Sequence, residues 1–110
     1  MTATTKDGRA IELSRDDESR RYVGVVDGTI AAVVAYIAAG DVIMFTHTEA
    51  DPAFEGQGVA STLVRWALDD VRVRGLRVVP LCPFVKAFIP RHPGEYGDLV
   101  FTSRTSVVHD

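Results

Sequence analysis

Phe54-Glu55-Gly56-Gln57-Gly58-Val59-Ala60-Ser61, running on into Thr62-Leu63-Val64-Arg65-Trp66-Ala67-Leu68-Asp69-Asp70-Val71-Arg72-Val73-Arg74-Gly75, decides how this chain folds. Between Val59 and Arg74 there is neither proline nor glycine. Ala60, Leu63, Val64, Ala67, Leu68 and Val71 fall at i, i+3, i+4, i+7, i+8 and i+11, one apolar stripe of an amphipathic helix. Gly75 ends it, and Arg72 and Arg74 suit the negative end of the helix dipole. Gly56 and Gly58 just before the helix allow close backbone approach to a ligand, and the free N–H groups of the first turn face any anion there. The spacing fits neither GxxxxGK[ST] nor GxGxxG, which argues against an ATPase or a dinucleotide enzyme. A plain tight turn into a helix is the alternative.

Working outward, the segment before Asp51-Pro52 is β-rich. Ile11-Glu12-Leu13 suits a short edge strand, and the charged stretch from Ser14 to Arg21 a solvated loop. Tyr22 to Val26 reads as a strand, and Asp27-Gly28 supplies a tight hairpin turn. Thr29 to Ile37 returns as a strand apolar on both faces, hence central. Gly40-Asp41 turns the chain into a third strand, Val42 to Thr48. After the long helix, Arg77 to Leu81 reads as a short buried strand, and Pro83 opens a shorter helix carrying Phe84, Val85, Phe88 and Ile89. Pro90 and His92-Pro93-Gly94 close that helix, and Leu99 to Val108 adds a last strand. Residues 1–9 are polar and read as a loose tail. The fold class is α+β: a mixed, mostly antiparallel sheet with a right-handed crossover through the long helix onto a parallel strand.

At 110 residues the chain is expected to form one domain over 1–110, its core spanning about 10–100. Twelve Lys and Arg against 15 Asp and Glu give a net charge of −3, which argues against a nucleic-acid partner. The apolar run Ile30 to Ala39 is too short to span a bilayer, so no membrane association is expected. One cysteine, Cys82, forms no internal disulfide and is too few for a structural zinc site, so no metal is expected. A reducing, cytoplasmic setting and a monomer or weak dimer follow as expectations. Tyr22, Tyr36 and Phe45 suit the core, Trp66 falls off the stripe, and Arg72, Arg74 and Arg77 suit a solvated helix end.

Glu55-Gly56-Gln57-Gly58-Val59-Ala60, after a strand and before an amphipathic helix, resembles the coenzyme A loop of the GCN5-related N-acetyltransferases. That pattern reads Gln/Arg-x-x-Gly-x-Gly/Ala; Gly58 and Ala60 match it, and Glu55 stands where Gln or Arg is usual. His47-Thr48-Glu49 before the loop, Cys82-Pro83-Phe84 after the next strand, and His92-Pro93 narrow the resemblance to a small acetyltransferase-like family, across about residues 20–100. Here Gly94 separates His92-Pro93 from Glu95-Tyr96, where the family tends to read HPEY.

The resemblance implies a minimal N-acetyltransferase fold using acetyl-coenzyme A and an unidentified amine acceptor. It implies that Glu55, Gly56, Gln57, Gly58, Val59, Ala60 and Ser61 hold the cofactor diphosphate, chiefly through backbone amides. Thr48, Glu49 and Ala50 would pair with the pantetheine arm like an added strand. Lys86 and Arg91 are candidates for the 3′-phosphate. His47 and Glu49, two apart on a strand, leave one face together as candidate base and ammonium-binding carboxylate. Cys82 is the candidate nucleophile or proton donor to the departing thiolate, and an inert core thiol is its plain alternative. A non-catalytic acyl-coenzyme A or partner-binding module, and a redox sensor built on Cys82, are the alternatives to an acetyltransferase.

Overall fold

The computed structural model describes residues 1–101. Among the described residues, six strands form one sheet in the order of the chain: β1 (Thr2–Thr4), β2 (Ala10–Asp16), β3 (Arg21–Val26), β4 (Thr29–Ala39), β5 (Val42–Ala50) and β6 (Arg77–Pro80). Neighbours are antiparallel except β5 and β6, which are parallel and joined by the long helix α1 (Val59–Val73). This is the expected α+β architecture. The shorter helix α2 (Pro83–Phe88) stops before Pro90, whose missing N–H leaves only a 3-10 turn over Ile89–Arg91. A one-turn helix α3 (Pro93–Tyr96) follows, then a 3-10 turn over Gly97–Leu99.

The apolar stripe of α1 lies on the sheet, with Val59, Leu63, Val64, Ala67, Leu68 and Val71 buried. The stripe begins at Val59 rather than Ala60, because Ala60 lines an open cleft. Each of Leu63 and Leu68, fully buried, contributes roughly 1.5–3 kcal/mol relative to exposure. Tyr22, Tyr36 and Phe45 are core residues, and Trp66 meets Tyr22 edge-on with ring centres 5.8 Å apart.

Several expectations are corrected. Residues 1–9 are not a loose tail: Thr2–Thr4 pairs with Ala10–Glu12, and Thr5 is buried. A polar strand escapes notice because its side chains are solvated, while its backbone satisfies an edge that β2 would otherwise expose. Ile11–Leu13 is therefore not an edge strand. The strand also continues through Ser14 to Asp16 instead of entering a loop, with Ile11 and Leu13 inward and Arg15 reaching Asp70 of α1 at 2.8 Å.

Strand β4 is central, as its composition suggests, but only one of its faces is covered by helix among the described residues. On the other face Ile37 remains 46% exposed. Arg72 and Arg77 are not simply solvated: Arg72 pairs with the Asp98 carboxylate at 2.9 Å and Arg77 donates to the Asp98 carbonyl at 2.7 Å, pinning the chain after α3. Of the expected last strand, Val100 forms a parallel bridge to Val78, and residues 102–108 lie outside the described residues.

Candidate active site

The ladder between β5 and β6 runs only from Val42↔Arg77 to Phe45↔Pro80. Two local features end it. Pairing between β4 and β5 jumps from Ala35↔His47 to Tyr36↔Phe45, so Thr46 is an extra residue, and such a bulge bends its strand. Pro80 closes β6 with no N–H to offer. The Phe45 carbonyl then accepts from both Leu81 N–H (3.0 Å) and Cys82 N–H (2.9 Å), after which the chain turns into α2. Among the described residues, β5 has no strand beside it on the β6 side from Thr46 to Ala50, which opens a crevice with an unpaired backbone edge.

That crevice leads to the start of α1. Asp51 accepts from Ala53 N–H at 2.9 Å and shapes a 3-10 turn over Pro52–Phe54. Gly56 (φ +80°) and Gly58 (φ +78°) then take left-handed conformations that disfavour a side chain. Glu55 N–H and Gln57 N–H are bonded within the turn. Among the described residues no side chain caps α1, so the first-turn amides of Val59, Ala60 and Ser61 stay available to an acceptor from outside. A cleft of about 310 Å³ covers them, bounded by Ala50, Gly56, Gly58, Phe84 and Lys6. Ser61 also borders a second cleft of about 180 Å³, which Arg65, Arg91 and His92 line.

His47 and Glu49 project together, as their spacing requires, with Nε2 3.7 Å from Oε1 and side chains 65% and 70% exposed. Thr48 points the other way, its Oγ1 2.8 Å from Cys82 Sγ. Cys82 is fully buried, and its sulfur accepts Val85 N–H at 3.5 Å as the N-cap of α2. The histidine and the cysteine therefore lie on opposite faces of β5, and the thiol's side-chain partner is a threonine hydroxyl rather than a base.

Lys86 lines neither cleft. Arg91 does, together with Arg65 and His92, which the sequence reading did not select. Arg65 is steered by Glu95 (2.6 Å) and Tyr96 Oη (3.3 Å), and Tyr96 in turn donates to Asp69 at 2.9 Å. Burial, then the bond to Asp69, pushes the Tyr96 hydroxyl up to about 12. His92 stacks on Phe88 with ring centres 4.2 Å apart and has Nδ1 2.9 Å from the Phe88 carbonyl. Lys6 was missed because it sits in a segment with no periodicity; Arg65 lies one turn after Ser61 on α1, which helical spacing could have found. Among the described residues no three His, Cys, Asp or Glu side chains gather as a metal site, and no helix is long and apolar enough to cross a membrane.

A sheet splayed beside a helix whose amide-lined start follows a Gly-x-Gly turn is the architecture of an acetyltransferase. The chain belongs to the GCN5-related N-acetyltransferase family, whose profile matches residues 21–99. It is 30% identical over 88 residues to Protein NATD1 of Bos taurus, across 78% of each chain. Its fold is similar to the solution structure of a GCN5-like protein from Staphylococcus aureus, with a TM-score of 0.64 at 19% identity, covering 90% of this chain and 96% of the other. The family's cosubstrate is acetyl-coenzyme A. The residues present suit it: unclaimed first-turn amides for a diphosphate, and an unpaired strand edge for an amide-containing arm.

Proposed function

We propose that this protein transfers the acetyl group of acetyl-coenzyme A to an amine by direct attack. The observation that carries the reading is the continuity of the unpaired β5 edge with the amide-lined start of α1. Thr48 to Ala50 hold the pantetheine arm through backbone, and the amides of Val59, Ala60 and Ser61 hold the diphosphate. Phe84 closes the outer wall. Arg91 and Arg65 receive the 3′-phosphate in the second cleft, in place of Lys86.

The core side of the crevice is filled by Thr48 and Cys82, so the amine enters from the exposed face bearing His47 and Glu49. Glu49 attracts the ammonium form and His47 removes the proton as the C–N bond forms. A backbone N–H of β5 stabilises the oxyanion. As the C–S bond breaks, Cys82 gives its proton to the departing thiolate and is reprotonated through the Thr48 hydroxyl, while the exposed His47 releases the amine proton to solvent. What supports that role is the bond from its own N–H to the Phe45 carbonyl, at the last β5–β6 pair, where the crevice begins; the residue meant is Cys82. An acetyl-Cys82 route has less support, because no imidazole or carboxylate contacts the sulfur among the described residues.

The test is calorimetric titration with coenzyme A followed by thiol release from acetyl-coenzyme A across polyamines, lysine peptides and small amines. One thiol is expected per acetylated amine. His47→Gln is expected to lower turnover by about 10²–10⁴ while leaving coenzyme A affinity intact. Tight binding with no turnover on any amine would favour a binding module instead.

A further inference from the structure

We propose that Lys6, from the turn between β1 and β2, is a phosphate-binding residue of this site and supplies the cation that meets the diphosphate of coenzyme A. The inference rests on the reading of the cleft given above, but on residues outside the matched 21–99. Lys6 lines the cleft over the α1 amides, and its Cε lies 3.7 Å from where a Cβ on Gly58 would sit.

The turn that carries it is tied down at both levels. Within it, Thr5 N–H donates to the Arg9 carbonyl at 2.8 Å, and Arg9 N–H donates to Thr5 Oγ1 at 2.8 Å. Against the glycine loop, Lys6 N–H donates to the Gln57 carbonyl at 3.2 Å and Asp7 N–H to Gln57 Oε1 at 3.1 Å. Arg9 lies over the Phe54 ring at 5.1 Å. The lysine is thus held at the loop by backbone contacts that leave its ammonium uncommitted.

Charge makes the case specific. Two carboxylates, Asp51 and Glu55, line the same cleft, and Lys6 is the one cation among its described lining residues. Arg9, the nearest other cation of the turn, is already paired with Asp7 (3.1 Å) and Asp27 (3.3 Å). Lys6 forms no ion pair among the described residues. Without it, a diphosphate would enter past two negative groups with only backbone dipoles to hold it. An ammonium on a flexible stem acts as a compact point charge that adapts to either phosphate. It therefore offsets the glutamate that stands at the first position of the loop.

The experiment titrates the full chain with coenzyme A and, separately, with pantetheine, which lacks every phosphate, at low and high salt. Lys6→Gln is expected to weaken coenzyme A about tenfold, the scale of one charge-assisted hydrogen bond, and to flatten the salt dependence. Pantetheine affinity should not change, and Lys6→Arg should stay near wild type. Wild-type affinity for coenzyme A in Lys6→Gln would overturn the proposal. So would an equal loss for pantetheine, which would mean that the side chain only packs over Gly58. If the wild type binds no coenzyme A at all, it is the acetyltransferase reading of the cleft that fails first.

Discussion

Gly58→Val separates a ligand cradle from a mere helix start. Gly58 sits at φ +78° and ψ 15°, so any L side chain there bears the left-handed penalty of about 1–2 kcal/mol, and a β-branched one lies at its upper end. Sterically the site is open: a Cβ would meet only Lys6 Cε, at 3.7 Å, an ordinary contact. The expected loss of stability is therefore about 2 kcal/mol, or about 10 °C in Tm, which a domain with the usual ~5–15 kcal/mol survives. The branched side chain projects into the cleft beside the amides, and coenzyme A affinity should fall by more than about 100-fold, near 2.7 kcal/mol. Gly75→Val is the matched control. Gly75 lies at φ +71° beyond the other end of α1 with open space around it, so it carries the same backbone strain without blocking the cleft. Calorimetric titration of both variants, each shown to be folded by its melting curve, decides the matter. Near wild-type binding by folded Gly58→Val would refute the cradle, as would equal loss in Gly75→Val.

Cys82→Ala is expected to lower turnover by about 10²–10⁴ with coenzyme A affinity kept, and intact-protein mass should show no acetyl adduct on the wild type. Cys82→Ser, which keeps a donor beside Thr48, should recover part of that activity; full activity in a folded Cys82→Ala protein would remove the thiol from the mechanism. The wild type should prefer coenzyme A over its 3′-dephospho form by about tenfold, and Arg91→Gln should narrow that ratio, read from paired titrations. For pH, burial alone would raise the Asp70 carboxyl, but bonds from Tyr22 Oη (2.7 Å) and Arg15 (2.8 Å) outweigh it and hold it below the usual aspartate value. A depressed folded value means stability present above the unfolded pKa and lost as pH falls below about 4, so Asp70→Asn should flatten the acid limb of a denaturation series there.

The sequence by itself determined the long helix, the glycine turn before it, the hairpins around Asp27-Gly28 and Gly40-Asp41, and the pairing of His47 with Glu49 on one face. These are local quantities: a periodicity of 3.6, a periodicity of 2, and turns that demand left-handed residues. It did not show that Thr2–Thr4 is a strand, because an edge strand's backbone can pair while its side chains stay polar. Nor did it show that Pro83 to Tyr96 would place Arg91 and His92, but not Lys86, on the second cleft, since that depends on where Pro90 breaks the helix. The separation of Cys82 from His47 followed from one extra residue at Thr46, and Lys6 reached Gly58 only because the β1–β2 turn hydrogen-bonds to Gln57, fifty positions away. Contacts between segments far apart in sequence leave no periodic trace in either segment, and for that reason only the tertiary structure decided which charges meet at the site.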